Sequence, residues 1–319
     1  MAIVEQTRGE YAEQDVSDGH AVAVSRQPQT RRATGWLREF PDFRDYTVED
    51  SAVRLAIPKA SALAAVGTAK AGALPKKVDL REWCSPIEDQ GDLGSCTAQA
   101  AVGIIEYYQR RAYGKHLNGS RAFVYKVTRN LLGWTGDTGA YLRTAMGAVT
   151  LFGVPPEQHF RYVKANFHKE PSAFLYALAQ SYQAETYYRL DPAGKDPADV
   201  LRSIKEHLHA GVPSMFGFTV YDSLWGADST GAIPFPERND RHEGGHAVVA
   251  VGYDDNKSIK HPQASKATKG ALLIRNSWGT DWGDRGYGWL PYEFVRQGLA
   301  VDWWVMTKAE WLDSDAFKE

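Results

Sequence analysis

Apolar positions recur at helical spacing through the middle of the chain. From Cys96 to Tyr108 they fall on one helical face, with Ser95 as an N-cap residue before them and Gly114 placed to end the helix. This pattern predicts a long, mostly buried helix. Three shorter helices are predicted over residues 120–132, 140–152 and 197–211. Two histidines near the end of the last one are expected to be solvated, His207 and His209.

From residue 212 onward the pattern changes to short apolar runs bounded by Gly, Asp or Asn. Such runs are typical of β-strands. The predicted strands cover residues 213–220, 245–253, 270–278, 287–290 and 303–306. Helices first and strands afterwards predict an α+β fold whose halves meet at a cleft.

Residues 1–74 differ from the rest of the chain because they start polar and end in an Ala-rich run at 60–73. Four aromatic side chains give this leader apolar anchors: Trp36, Phe40, Phe43 and Tyr46. Pro41 argues against one continuous helix here. We predict a leader with an Ala-rich tether, followed by a folded domain at 75–319. The leader is interpreted either as a mobile linker or as a pro-segment that covers a cleft.

Composition narrows the function. The 319 residues are 43% hydrophobic and 24% charged, with a net charge of -2, so no global field attracts nucleic acid or an anionic membrane. Residues 1–14 lack the apolar run of a secretory signal. We therefore expect a monomer with no nucleic-acid or membrane partner, located in the cytoplasm or exported without a classical signal peptide. Only two Cys are present, which excludes a multi-thiolate zinc site, so no metal or cofactor is expected.

Cys96 lies in the first turn of the predicted long helix. Unpaired backbone N–H groups and the helix dipole at this position stabilise a thiolate, which is the nucleophilic form of Cys. Gln90, six residues upstream, carries an amide able to donate a hydrogen bond to a developing oxyanion. The competing interpretation is an inert buried Cys.

A nucleophilic thiol needs a base, and the base needs an orienting group. His246 stands at the head of an apolar strand between Gly245 and Ala247, and Asn276 stands at the end of a later strand. The amide oxygen of Asn276 would accept a hydrogen bond from the imidazole, and Trp278 would shield that bond from water. Each residue also has a structural interpretation: a packing His, a turn Asn, a core Trp.

Together these residues resemble the papain-like cysteine peptidases. The order Gln, Cys, His, Asn matches, as do Gly-His-Ala-Val-x-x-Val-Gly-Tyr at 245–253 and Asn-Ser-Trp-Gly-x-x-Trp-Gly-x-x-Gly-Tyr at 276–287. The leader block Gly-Trp-x-x-x-x-Pro-Asp-x-Arg-Asp-Tyr at 35–46 is similar to that of a bacterial branch. The resemblance implies two lobes, a helical one with a long central helix and an antiparallel β-barrel-like one, with the active site in the cleft between them.

The resemblance also implies roles for single residues. Cys96 would be the nucleophile, His246 the general base and then acid, and Asn276 the residue that orients His246. Gln90 and the Cys96 backbone N–H would form the oxyanion hole. The implied function is a cysteine endopeptidase that hydrolyses polypeptides through a thioester acyl-enzyme. It would stay latent until the N-terminal segment, an intramolecular inhibitor, is displaced or removed.

Further positions match the substrate-binding residues of the family. Gly139 matches the glycine whose backbone pairs with an extended substrate. Four residues match the lining of the pocket for the second residue before the cut: Tyr141, Leu142, Gly245 and Ala247. Because the last two are small, we expect this pocket to be roomy and apolar. Trp278 would cover the His–Asn pair.

The chain departs from the family pattern beside the nucleophile. Leu93 stands where the family usually has a Cys, and Thr97 stands where it has a Trp. Cys84 matches no catalytic position, so we interpret it as structural, with a reversible disulfide to Cys96 as the alternative. Two other functions stay open: a catalytically silent binding protein of this fold, and a peptide ligase or deamidase using the same residues.

Overall fold

The structure, a computed structural model, describes residues 32–59, 62–66, 74–227 and 229–312. The start of the predicted leader and most of its Ala-rich run lie outside the described residues. Residues from Arg32 onward belong to one compact unit.

The eight described α-helices follow one another in chain order. They are α1 (Ser51–Ala56), α2 (Cys96–Tyr113), α3 (Arg121–Leu131), α4 (Leu142–Phe152), α5 (Ala173–Ala179), α6 (Pro197–His209), α7 (Tyr292–Arg296) and α8 (Ala309–Leu312). Short 3-10 turns lie between them at Ala62–Ala65, Arg81–Trp83, Glu157–His159, Lys164–Asn166, Gln180–Tyr182 and Asp222–Ala227.

The seven described strands form one antiparallel sheet. They are β1 (Lys77–Asp79), β2 (Thr186–Arg189), β3 (Ser214–Tyr221), β4 (His242–Ile259), β5 (Thr268–Arg275), β6 (Tyr287–Pro291) and β7 (Ala300–Thr307). Their order is β2-β7-β3-β4-β5-β6, with β1 paired to β4. Among the described strands β2 and β6 remain separate edges, so the sheet that was expected to be barrel-like is open.

The long central helix is α2, which packs against β4. Every side chain from Cys96 to Tyr108 is buried, and Gly114 ends the helix in the left-handed conformation with φ 69°. Ser95 is the N-cap residue as predicted, but its side chain makes no capping hydrogen bond. Its Oγ lies 2.5 Å from the hydroxyl of Tyr162 instead.

The described part of the leader packs on the folded domain through only one of the four expected aromatic anchors. Trp36 is 5% exposed, whereas three other side chains are open to solvent: Phe40, Phe43 and Tyr46. Ionic contacts take their place. Asp45 and Glu39 both pair with Arg143, and Asp45 also lies 3.5 Å from the guanidinium of Arg189. Aromatic spacing alone could not separate these two ways of anchoring.

His207 and Cys84 are both buried. His207 is fully buried, not solvated: its Nδ1 lies 2.7 Å from the carbonyl oxygen of Ser203, and its Nε2 lies 3.1 Å from the Tyr188 hydroxyl. His207 therefore faces the core side of α6, while His209 is exposed. Cys84 is a free, buried thiol whose Sγ contacts a backbone carbonyl. Within the described residues, no helix has the length and apolar character needed to cross a membrane.

Candidate active site

The predicted nucleophile lies at the start of α2 and is fully buried. Burial raises the pKa of the Cys96 thiol to about 12, against the opposing effect of four backbone N–H groups. Two of these belong to the first turn of α2, one to Ala247 in β4 and one to Gly35 in the leader. The helix N-terminus thus acts as predicted, but desolvation outweighs it while the leader covers the sulfur.

The predicted base and its orienting residue are hydrogen-bonded to each other. His246 Nε2 lies 2.7 Å from Asn276 Oδ1, which also accepts the Ser277 backbone N–H at 2.8 Å. Because this oxygen only accepts, Nε2 carries the imidazole proton and Nδ1 carries the lone pair. That Nδ1 is buried and has no hydrogen-bond partner among the described residues. The imidazole therefore keeps an acceptor available on the side away from Asn276.

Trp278 covers this pair. Its ring stacks on the imidazole of His246, with centroids 4.3 Å apart and planes 23° from parallel, and it is fully buried. Burial lowers the pKa of His246 to about 4, although the bond to Asn276 acts in the opposite direction. The imidazole is therefore neutral in this arrangement at neutral pH.

Gln90 is held in one orientation by groups on both sides of the cleft. Its Nε2 donates to the carbonyl oxygens of Leu93 at 2.9 Å and Ala33 at 3.2 Å, and its Oε1 accepts the Ser277 hydroxyl at 2.6 Å. Ser277 was not predicted as a functional residue, although it lies inside the Asn-Ser-Trp motif. Its hydroxyl fixes the Gln90 amide so that the N–H₂ group faces the cleft. There the N–H₂ group donates to the carbonyl oxygen of Ala33.

The leader runs through the cleft and makes backbone hydrogen bonds to residues on both of its sides. We call residues 33–37 the cleft segment. The backbone N–H groups of Gly35 and Trp36 donate to the Gly245 carbonyl at 3.1 and 3.0 Å, and the Gly35 carbonyl accepts the Ala140 N–H at 2.9 Å. Gly139 has φ 72°, and a Cβ there would lie 2.2 Å from the Gly35 oxygen. The cleft segment thus pairs with Ala140, which is next to the predicted Gly139, and with Gly245, which was predicted to line a pocket.

The Trp36 side chain fills a pocket beside the segment. A Cβ at Gly217 would lie 1.9 Å from its ring, and a Cβ at Gly245 would lie 2.6 Å away. The indole Nε1 donates to Asp302 Oδ2 at 3.1 Å in a buried hydrogen bond. The pocket expected to be apolar therefore contains a buried carboxylate. Neither Gly217 nor Asp302 had a local sequence signal, because each is far from Trp36 along the chain.

The other predicted pocket residues lie nearby with different exposure. Tyr141 and Leu142 directly follow Ala140, which pairs with the cleft segment. The Leu142 side chain is fully buried in the core, and the Tyr141 ring lies 5.4 Å from that of Trp134. Ala247 is buried and directs its backbone N–H to the Cys96 sulfur.

Comparison with known proteins gives a consistent answer. Residues 74–297 match the papain family of cysteine proteases. An uncharacterised peptidase C1-like protein of Acanthamoeba polyphaga mimivirus is 33% identical over 240 residues, covering 73% of this chain and 73% of that protein. Cathepsin K of Gallus gallus is 29% identical over 224 residues, covering 67% of this chain and 58% of that protein.

A solved structure agrees with these relatives. The crystal structure of xylellain, a cysteine protease from Xylella fastidiosa, matches with a TM-score of 0.67 and 31% identity, over 88% of this chain and 99% of that chain. The predicted family and α+β fold are confirmed. Since the family match covers most of the 319-residue chain, this protein belongs to the papain family of cysteine proteases and is a hydrolase.

Proposed function

We propose that the protein is a latent cysteine endopeptidase whose cleft is closed by its own leader. In this proposal Cys96 is the nucleophile, His246 the base and then the acid, and Asn276 the group that orients the imidazole. Gln90 and the Cys96 backbone N–H stabilise the oxyanion. The observation that carries the proposal is the pairing of the cleft segment with Gly245 across the site.

The chemistry starts with proton transfer from the Cys96 thiol to Nδ1 of His246. The thiolate attacks the substrate carbonyl carbon, and the amide of Gln90 stabilises the resulting oxyanion. The imidazolium gives its proton to the leaving amine, which leaves a thioester on Cys96. Water then attacks the thioester, with His246 taking a proton from the water and returning it to the departing sulfur.

The cleft segment suppresses this chemistry in two ways. It presents the N–H of Gly35, rather than a carbonyl carbon, to the Cys96 sulfur. It also fills the oxyanion position with the carbonyl oxygen of Ala33, which takes a hydrogen bond from Gln90. With the thiol pKa near 12 and the imidazole pKa near 4, neither group is charged at neutral pH. Release of the segment would admit water and polar substrate and so favour the ion pair.

The two cysteines allow a matched test of the nucleophile. Cys96→Ala, made in a chain that begins at Leu74, should abolish cleavage of a fluorogenic peptide and formation of a thioester detectable by intact mass. Cys84→Ala should retain both, because this thiol is a buried packing residue outside the cleft. Persistent turnover by the Cys96→Ala protein would contradict the proposed mechanism. The domain boundary at residue 74, the monomeric state and the location remain predictions.

A further inference from the structure

The pocket that holds Trp36 is a slot between two strands. Its walls are Gly217 in β3 and Gly245 in β4. These two glycines lie two residues out of register with each other, since Gly217 pairs with Ala247 and Thr219 pairs with Gly245. For Gly217, all three of the nearest atoms to an added Cβ belong to the Trp36 ring. The missing side chains therefore leave room for a large flat ring.

A buried carboxylate forms one end of this slot. Asp302 in β7 is fully buried, and its Oδ2 accepts the Trp36 indole N–H at 3.1 Å. Its Oδ1 accepts the Trp304 indole N–H at 2.8 Å and lies 3.2 Å from the guanidinium of Arg189. Oδ1 thus accepts from groups of the folded domain, whereas Oδ2 accepts from the side chain that occupies the slot.

The backbone around Asp302 is held in an unusual conformation. Its φ is 63°, in the left-handed region that non-glycine residues seldom adopt. The Asp191 carboxylate accepts the backbone N–H groups of Asp302 and Trp303 at 2.7 and 2.9 Å. A strained residue maintained by a dedicated acceptor is typical of functional positions. Here the conformation aims a carboxylate at a pocket.

The charges around the slot favour a neutral donor over a cation. On the folded domain, Arg143 and Arg189 face Asp191 and Asp302. Two guanidinium groups therefore balance two carboxylates once the leader has moved away with its own carboxylates. A Lys or Arg side chain entering the slot would bring an uncompensated charge into a buried site. Phe or Leu would leave the Asp302 Oδ2 without a donor.

From this arrangement we infer that Asp302 makes the slot selective for tryptophan in the substrate, with Trp36 acting as the internal occupant. The inference rests on the proposed endopeptidase function and names its substrate class: polypeptides with Trp at the second residue before the cut. Indole satisfies both requirements of the slot, because it is large and flat and carries one neutral N–H.

The test uses the full chain with Trp36→Ala, which empties the slot. Hydrolysis is measured on four peptides that differ only in having Trp, Phe, Leu or Arg at the second residue before the cut. Binding of the same peptides is measured by calorimetry on the Trp36→Ala, Cys96→Ala protein, where no turnover occurs. We expect Trp to exceed each other residue by about tenfold or more in both measurements, because a buried hydrogen bond to a charged group is at stake.

Two further variants separate the carboxylate from the shape of the slot. In Asp302→Asn the amide oxygen must accept from Arg189 and Trp304, so the amide N–H₂ faces the slot. There it is a donor that meets the indole N–H, which is also a donor. This variant should reduce the preference for Trp over Phe to about twofold or less. Gly217→Ala, in the same Trp36→Ala background, should weaken Trp and Phe alike and keep their ratio, because it narrows the slot without changing Asp302.

The outcomes are distinct. Equal binding of Trp, Phe and Leu, or a preference for Arg, would overturn the inference, and this comparison does not require any Asp302 variant to fold. Retention of the Trp preference by Asp302→Asn would overturn the role of Asp302. Preferential binding of Trp without hydrolysis of any peptide would support the inference and count against the proposed function.

Discussion

Removal of the Trp36 side chain should release the leader from the cleft. Trp36 is 5% exposed and carries the one tryptophan–carboxylate bond between the cleft segment and the folded domain that the described residues contain. Truncation of a buried Trp to Ala typically costs about 3–5 kcal/mol. At about 1.36 kcal/mol per factor of ten, the equilibrium between closed and open cleft shifts about 150- to 5,000-fold toward the open form.

The assay is peptide hydrolysis by the full chain at neutral pH. Its rate is proportional to the open fraction, so Trp36→Ala should raise the rate by the factor above, up to the rate of the chain that begins at Leu74. Phe43→Ala and Phe40→Ala are matched controls in the same leader. These side chains are 97% and 74% exposed, so each should change the rate by about twofold or less.

Two results would refute this reasoning. One is a Trp36→Ala protein as silent as the parent while the chain from Leu74 is active. The other is activation by Phe43→Ala as large as that by Trp36→Ala, which would mean that the Trp36 pocket does not hold the leader in place.

Three other perturbations have defined outcomes. Gly35→Ala should raise the hydrolysis rate of the full chain about tenfold or more, because the added Cβ would lie 2.0 Å from the Gly94 carbonyl oxygen. An unchanged rate in the same assay would contradict this close approach. Asp45→Asn should activate about tenfold by weakening the contact with Arg143, and high salt should reduce the difference between the two proteins. Asn276→Ala, in the chain from Leu74, should lower kcat about 10- to 100-fold with little change in KM, since only the orientation of the His246 imidazole is lost. An equal rise in KM would indicate a binding role instead.

Local signals were sufficient for the elements that carry the proposed catalytic residues. The apolar face before Gly114 predicted α2, and the apolar run around His246 predicted the central half of β4. The family motifs then named Gln90 and Asn276, which the structure brings into one cleft with these elements. Such features are encoded within short stretches, so they can be seen without knowledge of the tertiary structure.

The features that the sequence patterns did not predict depend on contacts between residues far apart in the chain. Trp36 and Asp302 are 266 positions apart, and Gly217 has meaning only because a ring lies against it. The ionic anchoring of Asp45 depends on α4 and β2 meeting the leader. The prediction that His207 is solvated is wrong because a histidine on an amphipathic helix can face either side, and here Tyr188 pairs with it in the core.

Alkylation shows whether the leader keeps the Cys96 thiol protonated and covered. With a thiol pKa near 12, only about one part in 10⁵ is thiolate at pH 7, because a thiol stays protonated at a pH below its pKa. We predict that intact-mass labelling with iodoacetamide at pH 7 modifies Cys96 rapidly in the chain from Leu74. In the full chain labelling should be slow, because the thiol is buried beneath the leader. Equal labelling of both chains at pH 7 would mean that the leader does not protect Cys96.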